Sequence, residues 1–110
     1  MKLKSFVITL FTFALFVFNQ NVFAQKAKTK HVVEIKRMKF NPAELVVKKG
    51  DTVVWINRDF FPHDVASVNN DSWKTKPLEK GESWTKVITK NENYFCPLHI
   101  VMKGKIILKE

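Results

Sequence analysis

The chain has 110 residues, with 19 Lys and Arg against 10 Asp and Glu for a formal net charge of +9, and it holds one cysteine. That length bounds it to one compact domain with a modest core, and a lone cysteine excludes an internal disulfide. The basic surplus raises nucleic acid or an anionic membrane as partners, but the lysines are scattered along the chain. The charge therefore reads as solubility plus steering toward an acidic protein partner, with no nucleic acid and no membrane insertion.

Lys2 and Lys4 open the chain ahead of an apolar run from Phe6 to Phe18, broken only by Thr9 and Thr12. The run is shorter than the ~20 apolar residues that span a bilayer, so a retained anchor is the weaker reading. Val22-Phe23-Ala24 offers a cleavage site, which makes residues 1–24 a secretory signal peptide and places the product in the periplasm. A lipid anchor is disfavoured because no cysteine lies near the cut. Residues 25–30, with Lys26, Lys28 and Lys30, read as a Lys-rich flexible linker, and 31–110 as the folded domain.

From there the sequence reads as short strands separated by turns, with no sustained helical period and no repeat. His31 to Met38 is expected as the first strand, ended by Phe40-Asn41-Pro42 because proline cannot donate to a ladder. Glu44 to Lys48 forms a second strand, Lys49-Gly50-Asp51 a tight turn, and Thr52 to Asn57 a third, rich in β-branched residues. Arg58 to Pro62 is a loop with two adjacent phenylalanines, one expected to point inward and the other outward. His63 to Val68 follows as a short strand. Asn69 to Glu82 is turn-rich, with Trp73 as its fixed point. Ser83 to Thr89 alternates as a strand with Trp84 and Ile88 on one face, Tyr94-Phe95-Cys96 is another, and Lys105 to Lys109 closes the chain. The pattern predicts an all-β, antiparallel Greek-key sandwich of seven or eight strands, since there is no room for crossover helices.

The chemistry concentrates in Tyr94-Phe95-Cys96-Pro97-Leu98-His99-Ile100-Val101-Met102. Cys96, His99 and Met102 follow at three-residue steps, expected on a strand end and a short loop. His63 comes from an earlier strand. Thiolate, two imidazoles and a weak thioether form the donor set of an electron-transfer copper site. Taken singly, each residue has a plainer role: Met102 as core filler, Cys96 as a small buried hydrophobe, His63 as a partly buried structural histidine. Their joint occurrence, with an exported chain that keeps an unpaired cysteine, favours the metal. Zinc could take Cys96, His63 and His99 with His31 as a fourth donor, but His31 sits beside the linker and reads as a surface residue.

At these residues the chain resembles the type 1 copper proteins of the plastocyanin–azurin group, the cupredoxins, and most of all the amicyanin branch. The likeness runs from Val32-Val33-Glu34-Ile35 through Gly50-Asp51-Thr52-Val53-Val54-Trp55 and Pro62-His63 to the Cys-x2-His-x2-Met spacing and Lys103-Gly104-Lys105. The resemblance implies an eight-stranded Greek-key sandwich holding one copper ion, with His63, Cys96 and His99 equatorial and Met102 axial. It also implies an apolar docking face around His99, here flanked by Phe60, Phe61, Pro62, Pro97, Leu98 and Ile100, with Lys103 and Lys74 at its rim. Two departures stand out. Asp64 occupies a position where the family commonly has Asn, and Pro97 directly after Cys96 removes a backbone donor beside the sulfur.

The function expected is that of a monomeric blue-copper electron carrier working between redox partner proteins. The alternative is copper storage or delivery with the same ligands, but Met1, Met38 and Met102 form no methionine cluster. An enzyme is not expected: no second histidine cluster offers a catalytic copper, and a binuclear copper centre would need two cysteines.

Overall fold

The computed structural model describes residues 28–70 and 72–109; the expected signal peptide and the start of the linker lie outside them. Eight strands form: β1 (Lys30–Lys36), β2 (Lys39–Asn41), β3 (Glu44–Val47), β4 (Thr52–Asn57), β5 (Ala66–Ser67), β6 (Ser83–Val87), β7 (Glu92–Cys96) and β8 (His99–Leu108). They make two four-stranded sheets, ordered β2-β1-β4-β6 and β3-β8-β7-β5.

Alternation decides which residues enter the space between the sheets. Along β4 the buried positions are Val53, Trp55 and Asn57, and along β7 they are Glu92, Tyr94 and Cys96. A period of two therefore puts the cysteine on the same inward face as Tyr94. Val33, Ile35, Phe40, Val47, Val65, Ile88, Met102 and Ile106 complete the core with them. At its centre Trp55 packs edge-on to Tyr94 with ring centroids 5.3 Å apart, and Tyr94 packs edge-on to Phe40 at 4.8 Å. Trp73 and Trp84, half-buried and stacked at 5.4 Å, close one side of the core.

The sandwich departs from the expected one in five ways. Two of its pairings are parallel, β1 with β4 and β3 with β8, because the chain crosses between the sheets instead of returning by hairpins alone. The expected first strand ends at Lys36: Arg37 and Met38 turn the chain at φ 55° and 61°, and residues expected to break the strand form β2, which folds back on β1. Only Ala66–Ser67 of the expected strand at 63–68 is regular. His63 instead makes an isolated bridge, exchanging backbone hydrogen bonds with Leu78 at 3.1 and 2.8 Å. The final strand begins at His99, so His99 and Met102 lie on β8 rather than on a loop. Within the expected linker, Thr29 N–H donates to Asp51 and β1 starts at Lys30.

Candidate metal centre

Two segments build the site. The β7–β8 hairpin carries Cys96 and His99 as cross-strand partners around the two-residue turn Pro97-Leu98, with a register shift at Phe95/Cys96. The third donor arrives on the segment after β4, which Asn57 organises. Asn57 is fully buried, and its side-chain amide donates to the Phe61 and Leu78 carbonyls, each at 2.8 Å, while its oxygen accepts from Asp59 N–H at 2.8 Å. These bonds shape the loop that delivers His63.

The donors converge. His63 Nδ1 and His99 Nδ1 each lie 3.8 Å from Cys96 Sγ. The two imidazole centroids are 4.8 Å apart, and all three donor atoms fall within 4.8 Å of one another. A metal about 2.0–2.3 Å from nitrogen and sulfur donors in a trigonal plane needs those donors about 3.5–3.8 Å apart, a spacing that both sulfur–nitrogen distances meet. His63 and Cys96 are wholly buried and His99 is half-exposed, so the centre has one face toward solvent. Met102 is buried on β8, in the core cluster that also contains Cys96. His31 is elsewhere: it pairs with Val53 near the other end of β4 and contacts Asp51 at 3.0 Å.

The surroundings set the protonation states. Burial pushes the Cys96 thiol up, and the Asp64 side chain adds to that rise; the N–H groups of Asp64, His99 and Leu98 oppose it. The thiol would therefore give up its proton to solvent only as a metal takes its place on the sulfur. Although Pro97 brings no N–H, the next two residues supply theirs. Asp64 is buried, with Oδ1 3.4 Å from Cys96 Sγ and accepting from Leu98 N–H at 3.2 Å, so it joins the His63 segment to the turn. His63 Nε2 meets Asp59 Oδ2 at 2.9 Å. Burial by itself would raise the Asp59 carboxyl, but the Met38 and Arg37 amides and the His63 ring hold it below the ordinary carboxylate range.

Residues 27–109 match the model of the copper-binding proteins of the plastocyanin/azurin family. This chain belongs to that family. Among its relatives in the plastocyanin/azurin family, amicyanin of Paracoccus versutus is 36% identical over 86 residues, covering 71% of this chain and 64% of the relative. Amicyanin of Paracoccus denitrificans is 38% identical over 92 residues, covering 78% and 70%. Chloroplastic plastocyanin of Tetradesmus obliquus is 34% identical over 100 residues, covering 78% and 69%. This chain thus spans just under two thirds of the first of these and slightly more of the others.

Solved structures agree. A Cu(I) form of an amicyanin variant superposes with a TM-score of 0.69 at 35% identity, over 78% of this chain and 88% of that one. A copper-containing nitrite reductase from Thermus scotoductus gives 0.66 at 26% identity, over 78% of this chain but only 23% of that enzyme. For a plastocyanin/azurin family member with this donor set, the cofactor is copper, one ion of the type 1 class.

Two features around the centre escaped sequence reasoning. Asp59 and Asn57 carry no motif; the available signal was the spacing of Asp59 four residues before His63. The expectation that one of Phe60 and Phe61 turns inward is wrong. Both are exposed, at 83% and 62%, because the Asn57 bonds hold this segment as an outward loop, and Lys80 Nζ sits 3.6 Å over the Phe60 ring. With Leu98, Ile100 and Val101, also exposed, they leave apolar surface on the segments that flank both histidines.

Proposed function

We propose that this chain is an exported electron carrier in which His63, Cys96, His99 and Met102 would together hold one copper ion. Bound copper supplies a Cu(II)/Cu(I) couple, and the residues around it keep that couple in place. Asp59 holds Nε2 of His63 and leaves Nδ1 toward the metal. Cys96 enters as the thiolate, with the Leu98 and His99 N–H groups toward its sulfur. Rigid strands fix Cys96 and His99, so the ligand set moves little between oxidation states. The observation that carries the reading is the convergence of two imidazole nitrogens on one buried thiol at 3.8 Å each.

Electrons exchange through half-exposed His99, and the exposed apolar residues beside it form the docking face. Lys80 and Lys103 at its edge favour an acidic partner protein and make association salt-dependent. The chain works as a monomer in the periplasm, delivered by residues 1–24. Among the described residues, no helix is long and apolar enough to cross a membrane. It acts as a carrier rather than an enzyme: the match to the nitrite reductase leaves most of that enzyme uncovered.

The test is the visible spectrum of residues 25–110 loaded with Cu(II). An intense blue band that vanishes on reduction, returns on oxidation without metal loss, and is absent in Cys96→Ser is the expected result. A colourless oxidised protein refutes the reading. Rapid surrender of the metal to a chelator in either state would instead mark a storage or delivery protein.

A further inference from the structure

The β1–β2 hairpin turns on two non-glycine residues in the left-handed region, Arg37 at φ 55° and Met38 at φ 61°. A two-residue turn of this kind ordinarily takes Asn-Gly, because a side chain there costs backbone strain. β2 is only three residues long and lies at a sheet edge, so its ladder gives little support. What holds the tip is a carboxylate from elsewhere: Asp59 Oδ1 accepts from Arg37 N–H at 2.7 Å and Oδ2 from Met38 N–H at 2.9 Å. The same Oδ2 faces His63 Nε2 at 2.9 Å, and Asp59 N–H is anchored on Asn57. One carboxylate thus bonds a strained hairpin at the surface and a wholly buried imidazole.

We propose that Asp59 is a positioning residue for His63 and that the β1–β2 hairpin tip is its mount. This rests on the reading of His63 as a ligand. Its physical content is that an outer partner fixes both the tautomer and the plane of a metal-binding imidazole. With Nε2–H donated to Asp59, Nδ1 is left bare and aimed at the space beside Cys96 Sγ. The two tip amides stop the carboxylate from rotating away, so the orientation of His63 is set by residues that touch no metal.

The experiment compares the wild-type chain with Asp59→Ala, Asp59→Asn, and Asp59→Ala carrying Arg37→Asn and Met38→Gly, each metal-free and copper-loaded. Imidazole 15N NMR of the metal-free wild type should show His63 in a single Nε2–H tautomer. In Asp59→Ala that tautomer should be lost, Arg37 and Met38 amide exchange should quicken at least tenfold, and copper affinity should fall 10- to 100-fold. Asp59→Asn, which keeps the shape and one acceptor oxygen, should lie between them. The Asn-Gly tip suits the turn without help, so it should restore the thermal stability that Asp59→Ala loses but not the tautomer. A purely structural Asp59 would be rescued in both. The proposal is overturned if Asp59→Ala keeps the wild-type tautomer and copper affinity within twofold, or if the Asn-Gly tip restores the tautomer. The metal-free spectra do not depend on blue colour, so failure here is distinct from failure of the copper reading.

Discussion

Gly104→Ala adds one methyl group, and the structure predicts a large loss of stability from it. Gly104 lies on β8 directly across from Tyr94 on β7, and its φ is not in the left-handed region. Backbone preference alone would favour alanine in a strand by roughly 0.5–1 kcal/mol. The obstacle is space: a Cβ at residue 104 would overlap the Tyr94 ring at Cζ, Oη and Cε2. Phe40 and Trp55 pack edge-on against that ring, so it has no free direction in which to swing. Overpacking of a close-packed core costs about 1–3 kcal/mol, and the locked ring puts this site near the upper value. For a domain of this size, about 3 kcal/mol corresponds to a fall in Tm of roughly 12–24 °C. The assay is urea and thermal unfolding of the metal-free protein, run as a double-mutant cycle with Tyr94→Leu. In the Tyr94→Leu background the added methyl should cost under about 1 kcal/mol, since the clashing atoms are gone. A Gly104→Ala protein within ~0.5 kcal/mol of wild type, or an equal loss in both backgrounds, would refute the reasoning.

Two further outcomes follow from charged groups. The hydrogen bond from His31, with the Thr29 and Lys48 amides, lowers the Asp51 carboxyl to about 2. Because the folded value lies below the unfolded one, this stabilisation is complete above about pH 4 and is lost as pH falls through about 2. Urea midpoints between pH 5 and pH 2 should therefore fall more steeply in wild type than in Asp51→Asn, and parallel curves would contradict the assignment. Asp64→Asn removes a carboxylate 3.4 Å from Cys96 Sγ, which otherwise favours the more positive metal. Voltammetry should show a reduction potential raised by tens of millivolts, where ~59 mV is about 1.4 kcal/mol for one electron. An unchanged or lower potential sinks the idea.

The parts of this molecule legible in its sequence are those fixed by nearby residues. Thr52 to Asn57 is rich in β-branched residues around Trp55, and it forms β4 with those bounds. The donors at Cys96 and His99 could be read because a two-residue turn couples them, and His63 because a three-donor set lacks a member without it. What stayed hidden depends on contacts distant in sequence. Arg37-Met38 has no turn residue, and its stabilising carboxylate stands 22 residues away at Asp59. The parallel pairing of Glu44–Val47 with Lys105–Leu108 leaves no local mark, since both partners look like ordinary half-buried strands. Phe60 and Phe61 were misplaced by an alternation rule that holds only in strands, whereas Asn57 makes that segment a loop.

Strand β8 lies inside its sheet with β3 on one side and β7 on the other, and it also bears His99 and Met102. Until those last residues dock, β3 has no neighbour to pair with and the thiol of Cys96 has no imidazole across from it. A chain cut before residue 99 thus loses both together: β3 its partner strand and Cys96 the imidazole across from it.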